Sequence, residues 1–453
     1  MTVAGLDVRP QASELRARRA RVADAIGSDG VALIPAAPAP RSSIRFRQTN
    51  EFYYATALEV PGAYVLIEGR DRSTTLYLPH RDEQRERVDG PGLWAEDVDR
   101  ARELSGADSV RPTADLPAEL AGRLCRGRLV LHTPFAPAER ERETRDVLLG
   151  GTAARLSDPL HARDGDGSGV RAQLTAHFPS AELRDLTPVL DELRLVKSPS
   201  ELEAMREAAR LTGLAVIEAM RSSEPGVYEF ELSAVADFVF LQGGARGGSY
   251  EAIVATGTNA WHGHYVRKDS ALADGELVLM DYAPDLHYYT SDIGRMWPAS
   301  GHWETWQLEL YGFIVQYHRA LLSRIRVGIT ADDVLDAAAM EMRNVVDGTA
   351  WSAPEFERAA RLALDFRGHL SHPVGMAVHD VGSYRERPFV QGLVFSVDPM
   401  LWVPERKLYV RCEDTVALTA DGLENLTGFV PLEPSDVVAE MAESGLLQMW
   451  RER

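Results

Sequence analysis

The 453-residue chain has only two cysteines, Cys125 and Cys412, and only three lysines, Lys197, Lys268 and Lys407. Two cysteines so far apart make no disulfide framework, which excludes a small cystine-stapled scaffold and fits a reducing compartment. Lysine is scarce because nearly all of the 49 basic residues are arginine, a skew read as coding bias and not as a phosphate-binding signal. Basic charge as a whole is in deficit: 68 acidic residues give a formal net charge of −19. A polyanion partner needs basic patches, so nucleic acid is excluded as a partner. No apolar run approaches the roughly 20 residues that cross a bilayer. The first residues lack the apolar core of a signal peptide, and Asp7, Glu14 and Asp24 argue against a transit peptide. The expectation is a soluble, cytoplasmic protein with no membrane partner.

What is present is a large apolar reserve: 45% of the residues are hydrophobic, enough in a chain of this length for two or three domains. Residues 14–27, "ELRARRARVADAIG", read as a basic amphipathic helix with a solvated charged face. The runs "GVALIPA", "AYVLIEG", "STTLYLP" and "GRLVLHT" read as strands alternating with helices, so residues 1–185 are expected to form an α/β domain. In "LRLVKSPSELEAMREAA", Ser200 and Glu203 match a capping box, with Leu202, Met205, Ala209, Val216 and Met220 at helical spacing as its buried face. The junction is placed just before that helix. Beyond it, 190–453 reads as an α+β domain with helices near 228–242, 303–326 and 330–347.

Chemistry enters at "ELVLMDYAPDLHYYTSDIGRMW". Asp281 ends an apolar run, and Asp292 follows eleven residues later. Pro284-Asp285 signals a turn, and a hairpin with a four-residue loop (285–288) would pair Ala283 with Thr290 and Asp281 with Asp292. Directly opposed residues have Cβ atoms about 4.5–5.5 Å apart, and two ionised carboxylates there repel unless a proton or cation sits between them. One acid could instead be exposed, or the register could slip. Further candidates stand downstream. "HLSHPVGMAVHDVG" carries His369, His372 and His379, three of the chain's 12 histidines. "GLVFSVDPMLW" ends a strand at Asp398, and "LYVRCEDTVALT" reads as one strand with Arg411 and Glu413 on the same face. Carboxylates and imidazole suit hard or borderline divalent ions.

Taken in order, these segments resemble the creatinase/aminopeptidase P/prolidase family of "pita-bread" metallopeptidases over most of the chain. The resemblance implies a C-terminal pita-bread domain behind a smaller creatinase-type α/β domain. It implies a dinuclear site in which Asp281 ligates one metal, Asp292 and Glu413 bridge both, and His372 and Asp398 complete the coordination of the second metal. Manganese is the first choice of ion, with cobalt or zinc as alternatives. His264, in "WHGHY", and His379 match the family's substrate-contacting histidines; His262 is the rival within its pair. Arg411 matches an arginine that orients Glu413 or binds a substrate carboxylate, and His369 and Trp402 fall at or beside substrate-reading positions.

Three departures stand out from the family pattern. Asp398 replaces a glutamate that is also a candidate proton carrier, a retreat of about 1.5 Å for one methylene. Trp402 stands where relatives commonly have tyrosine. Gly368 replaces a histidine, with His369 one place along. The implied activity is hydrolysis of the amide bond before proline in a peptide with proline second, by an enzyme that forms a homodimer or homotetramer. The alternatives are a hydrolase of a small non-peptide C–N bond and, from another class, a non-catalytic binding scaffold.

Overall fold

The computed structural model describes residues 9–40, 45–157 and 169–451. They divide into two compact units that part between Arg194 and Leu195. The first unit is built on a six-stranded sheet in the order β4-β3-β2-β1-β5-β6. Its strands are β1 (Gly30–Pro35), β2 (Tyr64–Glu68), β3 (Thr74–Leu78), β4 (Ser109–Pro112), β5 (Val130–Thr133) and β6 (Glu182–Asp185). The continuous apolar run of β1 reflects its central place, parallel to β5 and antiparallel to β2, with both faces covered. Helix Ala12–Ile26 departs from its expected solvated basic face, because Arg18 and Arg19 are buried. Arg19 donates to the carbonyls of Ala55, Ser105 and Gly106 at 2.8–2.9 Å, and Arg18 lies over the Tyr54 ring. These two cations are internal braces.

The second unit opens with helix Pro199–Arg221, where the capping box is Ser198 with Glu201 and not Ser200 with Glu203. Proline at the first helical position fixes the start and places the cap on the residue before it. Seven strands form its main sheet, in the order β10-β11-β14-β9-β8-β7 with β15 against β14. They are β7 (Ile253–Thr256), β8 (Leu277–Asp281), β9 (Ile293–Pro298), β10 (Leu370–Pro373), β11 (Val394–Val397), β14 (Glu413–Thr419) and β15 (Gly422–Asn425). A separate ribbon pairs β12 (Met400–Val403) with β13 (Leu408–Arg411). Helices Thr305–Leu322, Ala331–Gly348 and Pro354–Asp365 bury one face of the sheet, while Pro199–Arg221 and Glu229–Gln242 pack on a second core that includes Val254, Val278 and Met280. Alternate side chains of β7 and β8 therefore enter different cores.

Two expectations of register are corrected. The β8–β9 ladder pairs Asp281 with Gly294, two residues from the expected partner. The turn is the two-residue tip His287-Tyr288, at φ 53° and 72°, closed by a Leu286–Tyr289 bridge in the same register. Two left-handed residues match the twist of the flanking strands, and that geometry overrides the Pro284-Asp285 signal. The stretch "LYVRCEDTVALT" is two strands, not one: β13 pairs with β12, β14 with β11 and β9, and buried Cys412 separates them.

Candidate metal centre

Five strand ends converge. Asp281 is the last residue of β8, Asp292 immediately precedes β9, His372 lies in β10, Asp398 follows β11 and Glu413 begins β14. A register shift of two keeps side-chain parity, so Asp281 and Asp292 remain on one face of the sheet. The hydroxyl of Tyr250 joins them, lying 2.7 Å from Asp281 Oδ1 and 3.1 Å from Asp292 Oδ1. Asp292 is set by a reciprocal pair with Thr415: its N–H donates to Thr415 Oγ1 at 2.8 Å, and the hydroxyl donates back to its carbonyl at 2.7 Å. Tyr250 and Thr415 carry no motif that singles them out in the sequence.

Ligand atoms of Asp292, His372 and Glu413 lie within 4.8 Å of one another, with His372 Nε2 3.4 Å from Asp292 Oδ2. Arg411 occupies the carboxylate side of the cluster. Its Nη1 meets Asp281 Oδ2 at 2.9 Å, its Nε and Nη2 meet the two oxygens of Asp398 at 2.9 and 2.8 Å, and Nη2 also meets Glu413. The guanidinium is thus engaged by three acids and buried, an arrangement that suits orienting the cluster, one of the two roles the resemblance allows. Glu413 Oε1 is buried with no hydrogen-bond partner.

Burial, joined by the field of Asp281, pushes Asp292 well above the usual carboxylate range. Glu413 is raised well above it too, by burial and by Asp292, Asp398 and Asp281 against the pull of Arg411. Asp398 is raised to about 6 by burial, again opposed by Arg411. Four buried acids surround one guanidinium that pairs with three of them, and a divalent cation would favour their ionised forms. Oxygen-rich ligands, one imidazole and an orphaned carboxylate oxygen fit a hard or borderline divalent ion.

The remaining expected site residues separate. The His379 ring lies 4.2 Å from that of His372, and the His264 ring 6.4 Å from that of His379, so His379 stands next to both of the other imidazoles. The loop bearing His264 is anchored on buried Glu229, which accepts from Thr256 N at 2.7 Å, Asn259 Nδ2 at 2.9 Å, Tyr265 Oη at 3.0 Å and Ser270 N at 3.1 Å. His369, expected to read substrate, is instead a core residue. It is fully buried, its Nε2–H donates to Ala363 O at 2.6 Å and its Nδ1 accepts from Met400 N at 3.2 Å. Burial lowers its pKa to about 4, so it stays neutral. Trp402 pairs with Tyr409 across the β12–β13 ribbon, stacked at 5.2 Å, and meets the edge of Phe366.

Comparison with known proteins fits this geometry. Residues 203–420 match "Metallopeptidase family M24", and residues 15–130 match "Aminopeptidase P, N-terminal domain". The chain is 31% identical to the Xaa-Pro aminopeptidase of Escherichia coli K12, covering 94% of this chain and 97% of that protein. It is 28% identical to Xaa-Pro aminopeptidase 1 of Streptomyces coelicolor over 96% of this chain and 89% of that one. Among solved structures, the zinc-substituted aminopeptidase P of E. coli in complex with product superposes with a TM-score of 0.76 at 28% identity, covering 96% and 99% of the two chains.

Proposed function

The chain belongs to metallopeptidase family M24, behind an aminopeptidase P N-terminal domain, and from that premise we propose that it is an Xaa-Pro aminopeptidase. It removes the first residue of a peptide whose second residue is proline. The convergence of Asp292, His372 and Glu413 beside the His379 ring carries the reading. Asp281, Asp292, His372, Asp398 and Glu413 would hold two divalent ions, manganese first and cobalt or zinc otherwise. Such ions, when bound, activate water and polarise the scissile carbonyl. The protein's own groups do the rest. His379 and His264 donate hydrogen bonds to the substrate carbonyl and to the oxyanion that develops from it. Asp398, at the position of the family's candidate proton carrier, would take up the proton released by the attacking water at a carboxylate oxygen. Arg411 keeps three carboxylates aimed at one point. The bond before proline is a tertiary amide without N–H, so the site needs no acceptor at the leaving nitrogen. No described helix is long and apolar enough to cross a membrane, and the enzyme works in the cytoplasm as a homodimer or homotetramer.

The test is mass-spectrometric detection of alanine release from Ala-Pro-Ala and Ala-Pro, with manganese, with chelator and with an Asp292→Ala control. Manganese-dependent release that vanishes in the control is expected, and the preferred peptide separates aminopeptidase from dipeptidase. Metal bound without cleavage of either peptide would overturn the reading and favour a small non-peptide amide as substrate.

A further inference from the structure

Lys197 is one of only three lysines in the chain, and it is buried. Its Nζ lies 3.2 Å from Asp380 Oδ2, and both side chains are 1% exposed. The pair lies outside the carboxylate cluster, yet Asp380 directly follows His379. The intervening segment is a closed loop. Asp380 N donates to Pro373 O at 2.9 Å, which sets His372 and His379 on its two stems, and Gly375 N donates to Ala377 O at 3.1 Å within it. Two further bonds tie the loop to the site. Val374 N donates to Val394 O in β11 at 3.1 Å, and Gly375 O accepts from Thr290 N at 2.9 Å, two residues before Asp292. Lys197 is fixed at its own end, where its N–H donates to Gly392 O at 2.8 Å.

Gly375 shows how closely the loop is packed on this pair. A Cβ there would lie 2.1 Å from Asp380 Oδ2 and 2.8 Å from Lys197 Cε. The space admits a slender tetramethylene stem with a compact ammonium, whereas the broad planar head of arginine is a different shape.

We propose that Lys197 and Asp380 are positioning residues for the reaction: their buried ion pair clamps the 373–380 loop and holds the His379 ring against His372. The catalytic readout rests on the Xaa-Pro reading above; the loop readout does not. If His379 acts mainly on the oxyanion, misplacing it lowers kcat and leaves KM nearly unchanged.

The experiment combines steady-state kinetics on Ala-Pro-Ala with hydrogen exchange by mass spectrometry. Lys197→Met is made in wild type and in His379→Ala. Expected in the wild-type background is a fall in kcat of roughly tenfold or more with KM within about threefold, and faster exchange concentrated in 373–380. In the His379→Ala background the same substitution should change kcat by less than about twofold, because residues acting as a unit are non-additive. An equal loss in both backgrounds, or unchanged exchange in the loop, would overturn the proposal. If Lys197→Met alone does not fold, Lys197→Met with Asp380→Asn leaves no buried charge unpaired and takes its place under the same expectations. A wild-type protein that cuts no peptide sinks the Xaa-Pro reading, and the exchange comparison still decides the clamp.

Discussion

Arg411→Met, studied in metal-free protein, isolates the balance of charge in the centre. Methionine keeps an unbranched stem but removes the cation that meets Asp281, Asp398 and Glu413. Removing one partner of a buried ion pair costs about 3–5 kcal/mol. In a unit the size of 195–453 each kcal/mol moves the unfolding midpoint by roughly 2 °C, so the midpoint should fall by roughly 6–10 °C at pH 8. The pH dependence has a definite sign. Asp398 has its pKa raised from 3.8 to about 6 in the folded state, so its contribution is fully present below 3.8 and is lost as pH rises through about 6. Arg411 opposes that rise, so its removal extends the loss to higher pH. The deficit of the variant should therefore be largest at pH 8 and shrink toward pH 5, and a saturating divalent ion should narrow it at pH 8 by binding the folded state. Scanning calorimetry after chelation and dialysis reads all three effects. Equal midpoints at pH 8, or a deficit that grows on acidification, would refute the reasoning.

Asp398→Glu restores the methylene that the family pattern carries, and bound metal per chain after dialysis should rise toward two; unchanged stoichiometry in mass spectrometry of the metal would show that aspartate already reaches. His369→Ala should lower stability by about 2–4 kcal/mol, through a cavity and two lost backbone partners, while kcat changes less than about twofold; a large kcat loss in a stably folded variant would return His369 to the site. His318 is fully buried, with Nε2 3.3 Å from Asp414 Oδ2, and burial lowers its pKa from 6.5 to about 4. Its contribution is present above 6.5 and lost as pH falls through about 4, worth at most about 3 kcal/mol. His318→Leu should flatten stability between those values, and an unchanged acid limb in urea melts would count against it.

The site was legible where the chain set an acid at the end of an apolar strand, because such a placement has few bland explanations. Asp281 and Asp398 announce themselves in this way. Details decided by local backbone geometry were not. The tip His287-Tyr288 adopts left-handed conformations without the asparagine or glycine that normally signal them, so the louder Pro284-Asp285 pair misplaced the register. Ser198-x-x-Glu201 and Ser200-x-x-Glu203 match the same capping pattern, and the position of Pro199 decides between them. His369 looked functional by clustering with His372 and His379, yet it points into the core beside Tyr317 and Phe366. Tyr250, Glu229 and Lys197 were invisible because each acts through contacts with residues remote in sequence.

The neighbours Glu413 and Asp414 point to opposite faces of β14. Glu413 enters the candidate metal centre, while Asp414 accepts from Arg295 and Thr427 at 2.6 Å and from Asn425 at 2.9 Å. Loss of a single codon inside this strand would therefore do two kinds of harm at once, turning an acid away from the metal and stranding Arg295 without its counter-charge. In a deletion scan, in-frame losses should be purged across 413–419. The strand's reading frame is thus under a double constraint that no single point substitution would reveal.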